Sequence, residues 1–404
     1  MRKIISVMLI ALMLGSVLAS CNADDGTSKD TAKDTTTQAV EKDTQAADTT
    51  VGTADNTSAT TDTAEVTTAE PEPLPDFVLT QESVVATNSY PEYTEFNKLA
   101  QTSYLVPGLN QKIVPQGMDI WTEKNWLMIS GYFSDASVSD CSMIVAVDMV
   151  TGELAAEYKI KNQDGSNHTG HAGGVAITPK NMFISMGSQL LRIPLADIEA
   201  AGRQGDLRIV DAISVPARAS FCNYSGGYLW VGDFYYGTSY PTDEYRHMTN
   251  REGKTYYAWS VGYKLDSSTD NEFSKSQWTD GMEYATPNVI LSIDQKIQGF
   301  AVVSDKYIAL SQSYGRNNDS KIMLYENIIG TTPHSRAVVN GKQVPLYFLD
   351  GKIDSKFYDA PPMSEGLAAR DGKLYILFES GAEKYHLGGG KNPTDRVWEM
   401  TMPE

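Results

Sequence analysis

A two-strand unit recurs five times between residues 115 and 378 and limits the possible folds more than any other sequence feature. Each copy has a small residue, a short apolar run, a polar turn and a second apolar run. The copies are PQGMDIWTEKNWLMIS (115–130), AGGVAITPKNMFISM (172–186), RASFCNYSGGYLWVGD (218–233), IQGFAVVSDKYIALS (297–311) and SEGLAARDGKLYILF (364–378). Apolar runs of strand length that flank Gly, Asn, Asp or Lys turns predict five β-hairpins.

Further strand candidates follow each hairpin. They are residues 143–148 and 154–160, 190–195 and 207–215, 259–265 and 288–293, 321–325 and 344–349, and 396–402. The fifth unit therefore has three strands, whereas residues 103–113 form a strand candidate without a hairpin of its own. If this N-terminal strand completes the fifth unit, no sheet edge stays exposed, which is how β-propellers close. The sequence thus predicts an all-β, five-bladed β-propeller.

Other architectures explain the repeats less well. Six blades remain an alternative, because the longest spacing separates the third and fourth copies. A β-sandwich would not explain why the missing fourth strand matches the unpaired first one. A β-helix would need shorter and more regular spacings than this chain has.

The first 21 residues predict secretion and lipid attachment. Residues 1–20 have the form of a signal peptide, with Arg2 and Lys3 before an apolar run at 4–14 that is too short to span a bilayer. The LASC sequence that ends at Cys21 resembles a bacterial lipobox. This resemblance implies cleavage before Cys21 and a diacylglyceryl group, with palmitate-type chains, on its sulfur. An ordinary secretory signal is the alternative.

A second segment, residues 21–75, differs from the rest in composition. Its part after Cys21 has no aromatic residue, 15 threonines and a net charge of −9, so it cannot bury enough apolar surface to fold. We expect a disordered tether there and a propeller domain at residues 76–404. That domain carries −11 of the total charge of −18. Such acidity excludes nucleic acid as a partner, and also a membrane bound through basic residues.

Cys141 and Cys222 are the remaining cysteines. They could pair outside the cytoplasm, but we expect each to be buried as a small apolar residue, since nothing in their spacing demands a disulfide. Three cysteines form no zinc motif.

A Gln-Gly or Glu-Gly pair opens three of the inner strands, at residues 116–117, 298–299 and 365–366. With this feature, residues 100–404 resemble the secreted bacterial β-propellers of the broad NHL-like and quinoprotein-like groups. A resemblance to gluconolactonase-like propellers would imply a divalent metal held by Glu365. The Asn and Asp ligands expected of that family have no secure counterparts in the alignment of the five repeats.

Polar residues recur at one end of the predicted blades. In a propeller, the loop before the inner strand and the loop after the second strand lie on the same face. We therefore predict that one mouth of the ring gathers a set of candidate ligand-binding residues: His171, Arg218, Asp233, Tyr235, Gln312, Tyr314, Arg316, Glu365 and Glu379. Glu365 and Asp233 are also candidate calcium ligands. The alternative is an ordinary solvated channel.

These features predict a monomeric cell-surface lipoprotein, held in the membrane by its lipid and facing the extracytoplasmic side. Tyrosines within residues 234–260 suit stacking on sugar rings or peptide anchors, so its propeller would bind a carbohydrate, a peptide or an envelope component. The alternative is a calcium-dependent hydrolase or lactonase acting through carboxylates at the same mouth. A binding protein is favoured over an enzyme. No cofactor is predicted, apart from calcium in that alternative.

Overall fold

The computed structural model describes residues 77–404, which form an all-β, five-bladed β-propeller. The predicted signal peptide, Cys21 and the tether lie outside the described residues. None of the helices in the described part is long and apolar enough to cross a membrane. Those helices are α1 (Thr94–Asn97), α2 (Leu195–Ala201) and α3 (Glu383–His386), with 3-10 turns at Leu109–Gln111, Thr122–Lys124 and Glu244–Arg246.

The first two blades occupy the N-terminal half of the ring. Strand β1 (Ala100–Leu105) precedes blade one, which consists of β2 (Ile113–Trp121), β3 (Trp126–Phe133), β4 (Met143–Asp148) and β5 (Leu154–Lys161). Blade two begins with β6 (Gly174–Ile177), β7 (Asn181–Met186) and β8 (Gln189–Pro194). The chain then forms β9 (Gln204–Arg208), which joins blade one parallel to β5, and β10 (Asp211–Ser214), which completes blade two.

The other three blades follow the same plan. Blade three has β11 (Phe221–Ser225) and β12 (Tyr228–Gly232), then a small hairpin of β13 (Met248–Thr249) and β14 (Thr255–Tyr256), then β15 (Ala258–Tyr263) and β16 (Val289–Ile293). Blade four has β17 (Ile297–Val303), β18 (Tyr307–Gln312) and β19 (Ser320–Glu326). Next come β20 (Ser335–Val339), β21 (Lys342–Phe348), β22 (Ser355–Ala360), β23 (Ser364–Arg370), β24 (Lys373–Phe378) and β25 (Arg396–Thr401).

The N-terminal strand closes the ring. Strand β1 pairs antiparallel with β25, with Ala100 opposite Met400 and Leu105 opposite Arg396, as the outermost strand of blade five. This confirms the predicted five-bladed ring, and the six-bladed alternative is wrong. The closing strand is shorter than the predicted residues 103–113, because Ile113 already begins the inner strand of blade one.

Two predicted outer strands belong elsewhere. Residues 207–215 are divided between β9 in blade one and β10 in blade two. Residues 344–349 lie mostly in β21, which pairs parallel with β16 of blade three, while β22 is the outer strand of blade four. An apolar alternation identifies a strand, but it does not say which sheet the strand joins.

Each pair of neighbouring blades encloses one cluster of buried apolar side chains, and the described residues contain five such clusters. The inner strands also contact one another around the axis. Glycines make this approach possible: a Cβ at Gly117 would overlap the backbone of Gly174, and one at Gly366 would overlap that of Met118. The inner ends of the blades are thereby held close together.

Asp119 on β2 connects blades near the axis. Its buried carboxylate accepts the backbone N–H of Ile177 in blade two at 2.8 Å and that of Tyr224 in blade three at 3.2 Å. The neighbouring Asn223 donates its amide to the carbonyl of Leu367 in blade five at 3.0 Å. Burial raises the pKa of Asp119 to about 7, although these hydrogen bonds oppose the shift.

Residues 77–99, the N-terminal strap, lie against blades one and five. The carboxylate of Glu157 on β5 accepts the backbone N–H groups of Val78 and Leu79 at 2.8 and 2.9 Å. The carboxylate of Asp395, just before β25, accepts the N–H of Val84 at 2.8 Å and the side-chain amide of Asn88 at 2.9 Å. The strap therefore spans the join between the first and last blades.

Both described cysteines are free and buried. Cys141 donates its thiol to the carbonyl of Ile160 at 3.0 Å, and Cys222 packs between blades two and three. The expectation that each behaves as a small apolar residue is confirmed.

Candidate binding site at the propeller mouth

Glu365 and Glu379 form a buried carboxyl pair. Glu365 lies at the start of β23 and Glu379 directly follows β24, so the antiparallel pairing of these strands brings the two residues to one end of blade five. Their side chains are 3% and 8% exposed and lie within hydrogen-bond reach of each other. The carboxyl pair joins two of the residues that the sequence predicted for the mouth.

Amides from the two neighbouring blades complete this arrangement. Gln298 of blade four donates its amide to Glu365 at 2.9 Å, and Gln116 of blade one donates its amide to Glu379 at 2.9 Å. Both glutamines belong to the Gln-Gly pairs of the repeat. The repeat thus supplies one polar side chain from each of three blades to the same point.

Both groups of the carboxyl pair have a raised pKa. Burial and, next, the negative charge of Glu379 raise the pKa of Glu365 well above its usual range. Burial also raises the pKa of Glu379, against the opposing positive charge of Lys384. Two carboxylates in contact in a buried site cannot both ionise easily, so the pair favours the state in which one of the two groups keeps its proton.

Helix α3 places a lysine and a tyrosine beside the carboxyl pair. The Lys384 ammonium donates to the Tyr132 hydroxyl at 2.6 Å and lies 4.5 Å from the ring centroid of Tyr385. Tyr132 stacks on His171, with ring centroids 4.5 Å apart. Loss of water around its ammonium and, to a lesser degree, the charge of Arg316 lower the pKa of Lys384, although much of its side chain stays exposed.

Arg316 reaches the same place from blade four. Its guanidinium lies 5.9 Å from the ring centroid of Tyr385 and donates to the carbonyl of Gly388 at 3.0 Å. Burial and the negative charge of Glu379 raise the pKa of the Tyr385 hydroxyl, so it stays protonated. Arg316 and Lys384 therefore border one neutral aromatic ring.

A second group of aromatic rings comes from the insertion of blade three. Tyr236 lies against Tyr314 of blade four with ring centroids 4.3 Å apart, and Tyr235 stacks on Tyr257 at 4.6 Å. The Lys296 ammonium lies 4.5 Å from the ring centroid of Tyr236 and 5.4 Å from that of Tyr314. The insertion thus builds an aromatic wall between blades three and four, which we call the tyrosine wall (Tyr235, Tyr236, Tyr257 and Tyr314).

Three other predicted residues have mainly structural partners. Asp233 is fully buried and accepts the guanidinium of Arg246 at 2.6 Å and the backbone N–H of Trp259 at 2.8 Å. The Arg218 side chain donates to the carbonyl of Pro241 at 2.7 Å, and the Gln312 amide to that of Gln295 at 2.9 Å. These contacts fasten loops to the blades.

The proposed metal ligands are not brought together by any described contact. The hydrogen bonds of Asp233 go to blade three and its insertion, whereas those of Glu365 go to Gln298 and Glu379. Within residues 77–404, no group of three or more His, Cys, Asp or Glu side chains is placed to hold a metal ion. Backbone carbonyls and amides also bind calcium, so the calcium site at Glu365 and Asp233 stays a prediction.

Sequence reasoning missed Lys384 and Tyr385. They follow the second strand of blade five, outside the hairpin repeats, and no periodicity marks them. The one available signal was their distance of only a few residues from Glu379, in a segment that starts with the turn residues Ser380 and Gly381.

A cavity of about 360 Å³ also lies elsewhere, between the strap and blade one near Leu79 and Glu157, and contains none of the predicted site residues.

Comparisons with known proteins give no family. No family model matches the chain, and no curated protein matches it in sequence. Among solved structures, the PQQ-bound form of aldose sugar dehydrogenase from Streptomyces coelicolor is similar at 13% identity and a TM-score of 0.41, over 75% of this chain and 97% of that one. Glutaminyl cyclase from Myxococcus xanthus is similar at 8% identity and a TM-score of 0.37, over 74% and 94% of the two chains.

A tail fibre of Staphylococcus aureus phage P68 is also similar, at 13% identity and a TM-score of 0.38. The match covers 75% of this chain and 52% of that one. The five-bladed fold of the present protein is established by its own strand pairing.

Proposed function

We propose that the protein is a lipid-anchored extracytoplasmic binding protein whose propeller mouth binds a polar ligand, for which a carbohydrate fits the chemistry best. Peptides and other envelope components are the other ligands that the sequence allows. The observation that carries the proposal is the carboxyl pair, with one glutamine from each neighbouring blade and aromatic rings around it. The lipobox at Cys21 supports the anchor.

The carboxyl pair suits hydroxyl groups. When one carboxyl group keeps its proton, the pair offers several acceptor positions and one donor, and Gln116 and Gln298 add both kinds of group. Sugar hydroxyls also donate and accept, so their hydrogen bonds can be matched at such a site. Tyrosine rings supply the apolar faces on which sugar rings stack.

The anchor would leave the mouth accessible. A disordered tether of the predicted length has a root-mean-square reach of about 40 Å, and mutual repulsion of its acidic groups would extend it. A propeller held this way can meet ligands fixed in the envelope as well as soluble ones.

Binding can be tested with the lipid-free protein, residues 77–404, on arrays of glycans, peptides and envelope fragments. We expect wild-type protein to bind at least one glycan class. Affinity should fall at least about tenfold in Glu379→Gln and in the double variant Tyr236→Ala, Tyr314→Ala, because charge-assisted hydrogen bonds and stacked rings each contribute that much. Lys321→Gln, on the outer part of blade four, is the control and should bind normally. Binding by all variants alike, or to peptides alone, would refute the carbohydrate site.

A hydrolase or lactonase is the second candidate, and one observation favours it. A carboxyl group whose pKa is raised by burial beside a second carboxyl group can act as a general acid at neutral pH. The contact between Glu365 and Glu379 is closer than the separation of about 5–5.5 Å that retaining glycosidases use, so this pair does not fit that mechanism. Turnover of lactones with and without calcium, lost in Glu365→Gln, would establish the enzyme instead.

A further inference from the structure

We propose that Arg316 and Lys384 form a subsite for an oxyanion, a carboxylate or phosphate group carried by the ligand of the mouth. This deepens the proposed function, on which it rests, by assigning the ligand an acidic group. The subsite lies over the Tyr385 ring, between blade four and helix α3. An acidic sugar, such as a uronic acid or a sugar phosphate, is the ligand class that combines this group with the neighbouring hydrogen-bonding groups.

Neither cation has a carboxylate of its own. In the described part of the chain, Arg316 donates to a backbone carbonyl and Lys384 to a tyrosine hydroxyl, and neither forms an ion pair. Carboxylates nearby are already engaged, since Glu383 pairs with Lys112, and Asp319 pairs with Lys391 at 2.6 Å. Two adjacent positive charges therefore face the site, and the carboxylates that act on Lys384 are those of the carboxyl pair.

The carboxyl pair does not neutralise both cations. Since contact in a buried site disfavours ionisation of both Glu365 and Glu379, the pair favours one negative charge, against the two positive charges of Arg316 and Lys384. The local excess is positive in a domain whose net charge is −11. A bound oxyanion would balance it, and it would also relieve the repulsion between the two cations.

The geometry suits an oxyanion. A guanidinium presents a planar fork that matches the two oxygens of a carboxylate or a phosphate, and a lysine ammonium adds a point charge with freely turning donors. Gly388 allows the Arg316 side chain to lie directly against the chain, because a Cβ at Gly388 would come within 2.6 Å of the guanidinium. Arg316 is thus held toward helix α3 and does not extend freely into solvent.

The test uses acetate and inorganic phosphate as probes, because they carry the group without the stereochemistry of any sugar. Thermal unfolding and isothermal titration are followed at constant ionic strength, with sodium chloride as the balancing salt. We expect saturable binding of at least one anion to wild-type protein, weakened about tenfold or more in Arg316→Gln and in Lys384→Gln. The stronger binder of the two distinguishes a carboxylate from a phosphate site.

The control is Lys321→Gln, which removes the same charge from an ion pair with Asp359 on the outer strands of blade four. It should bind the anions as wild type does. Equal responses of wild type, Arg316→Gln and Lys384→Gln, or no saturable binding by wild type, would overturn the subsite. A neutral glycan that binds independently of Arg316 would leave the proposed function intact and refute only the acidic ligand. Anion binding by wild-type protein that binds nothing on the arrays would support the oxyanion subsite and refute the proposed function.

Discussion

Glu365 and Glu379 impose a pH dependence on the whole propeller. The native pair binds a proton more tightly than the unfolded chain does, because burial raises the pKa of both groups and the negative charge of Glu379 further raises that of Glu365. The native state therefore holds more protons in the range between their usual carboxyl pKa and the raised value. Through that range, the free energy of unfolding falls as the pH rises.

Glu365→Gln should weaken this dependence. A neutral amide of the same shape lifts the repulsion while it can still accept the amide of Gln298. We expect the variant to be more stable than wild type at pH 8 by about 1–3 kcal/mol, the usual cost of an imperfectly paired buried polar group, with no difference near pH 4. Urea unfolding across this pH range measures it. Glu326→Gln, at an exposed position of β19, is the control, and parallel pH profiles of all three proteins would contradict the expectation.

The inner strands of the blades can be predicted from the sequence more accurately than the outer strands. The inner two strands of every blade were predicted within a few residues, because both of their faces are buried and a tight turn joins them. The outer strands β9 and β21 were misplaced, because they pair parallel with strands of a neighbouring blade after long connections. In the site, Glu365 and Glu379 were predicted from the register of the repeat, whereas Lys384 and Tyr385 depend on how a loop folds back.

Deletion of β1 should open the ring. A protein that begins at residue 77 retains every described contact, so we expect its melting temperature to match that of the chain with its tether. A protein that begins at residue 106 loses the pairing of β1 with β25 and the strap contacts to Glu157 and Asp395. It exposes a sheet edge and uncovers the apolar side chains of Trp398 and Met400. We expect a loss of a few kcal/mol, which in a domain of this size lowers the melting temperature by about 5 °C. Similar melting temperatures would show that β1 contributes little to closure.

At the scale of the whole molecule, Cys21→Ala tests the anchor. If the lipobox directs lipid attachment, the variant should leave the membrane fraction and appear in the soluble extracytoplasmic fraction. Fractionation followed by immunoblotting measures this, with Cys141→Ala as the control that keeps its lipid. Retention of Cys21→Ala in membranes after washing with high salt and mild base would show that another feature holds the protein there.

The strap has a mechanical consequence. A pull applied at residue 77 would first load the bonds of Val78 and Leu79 to Glu157, and next those of Val84 and Asn88 to Asp395. These attachments lie on blade one and blade five, on opposite sides of the join, and they precede β1 along the chain. Tension would therefore be carried by both blades before it could separate β1 from β25.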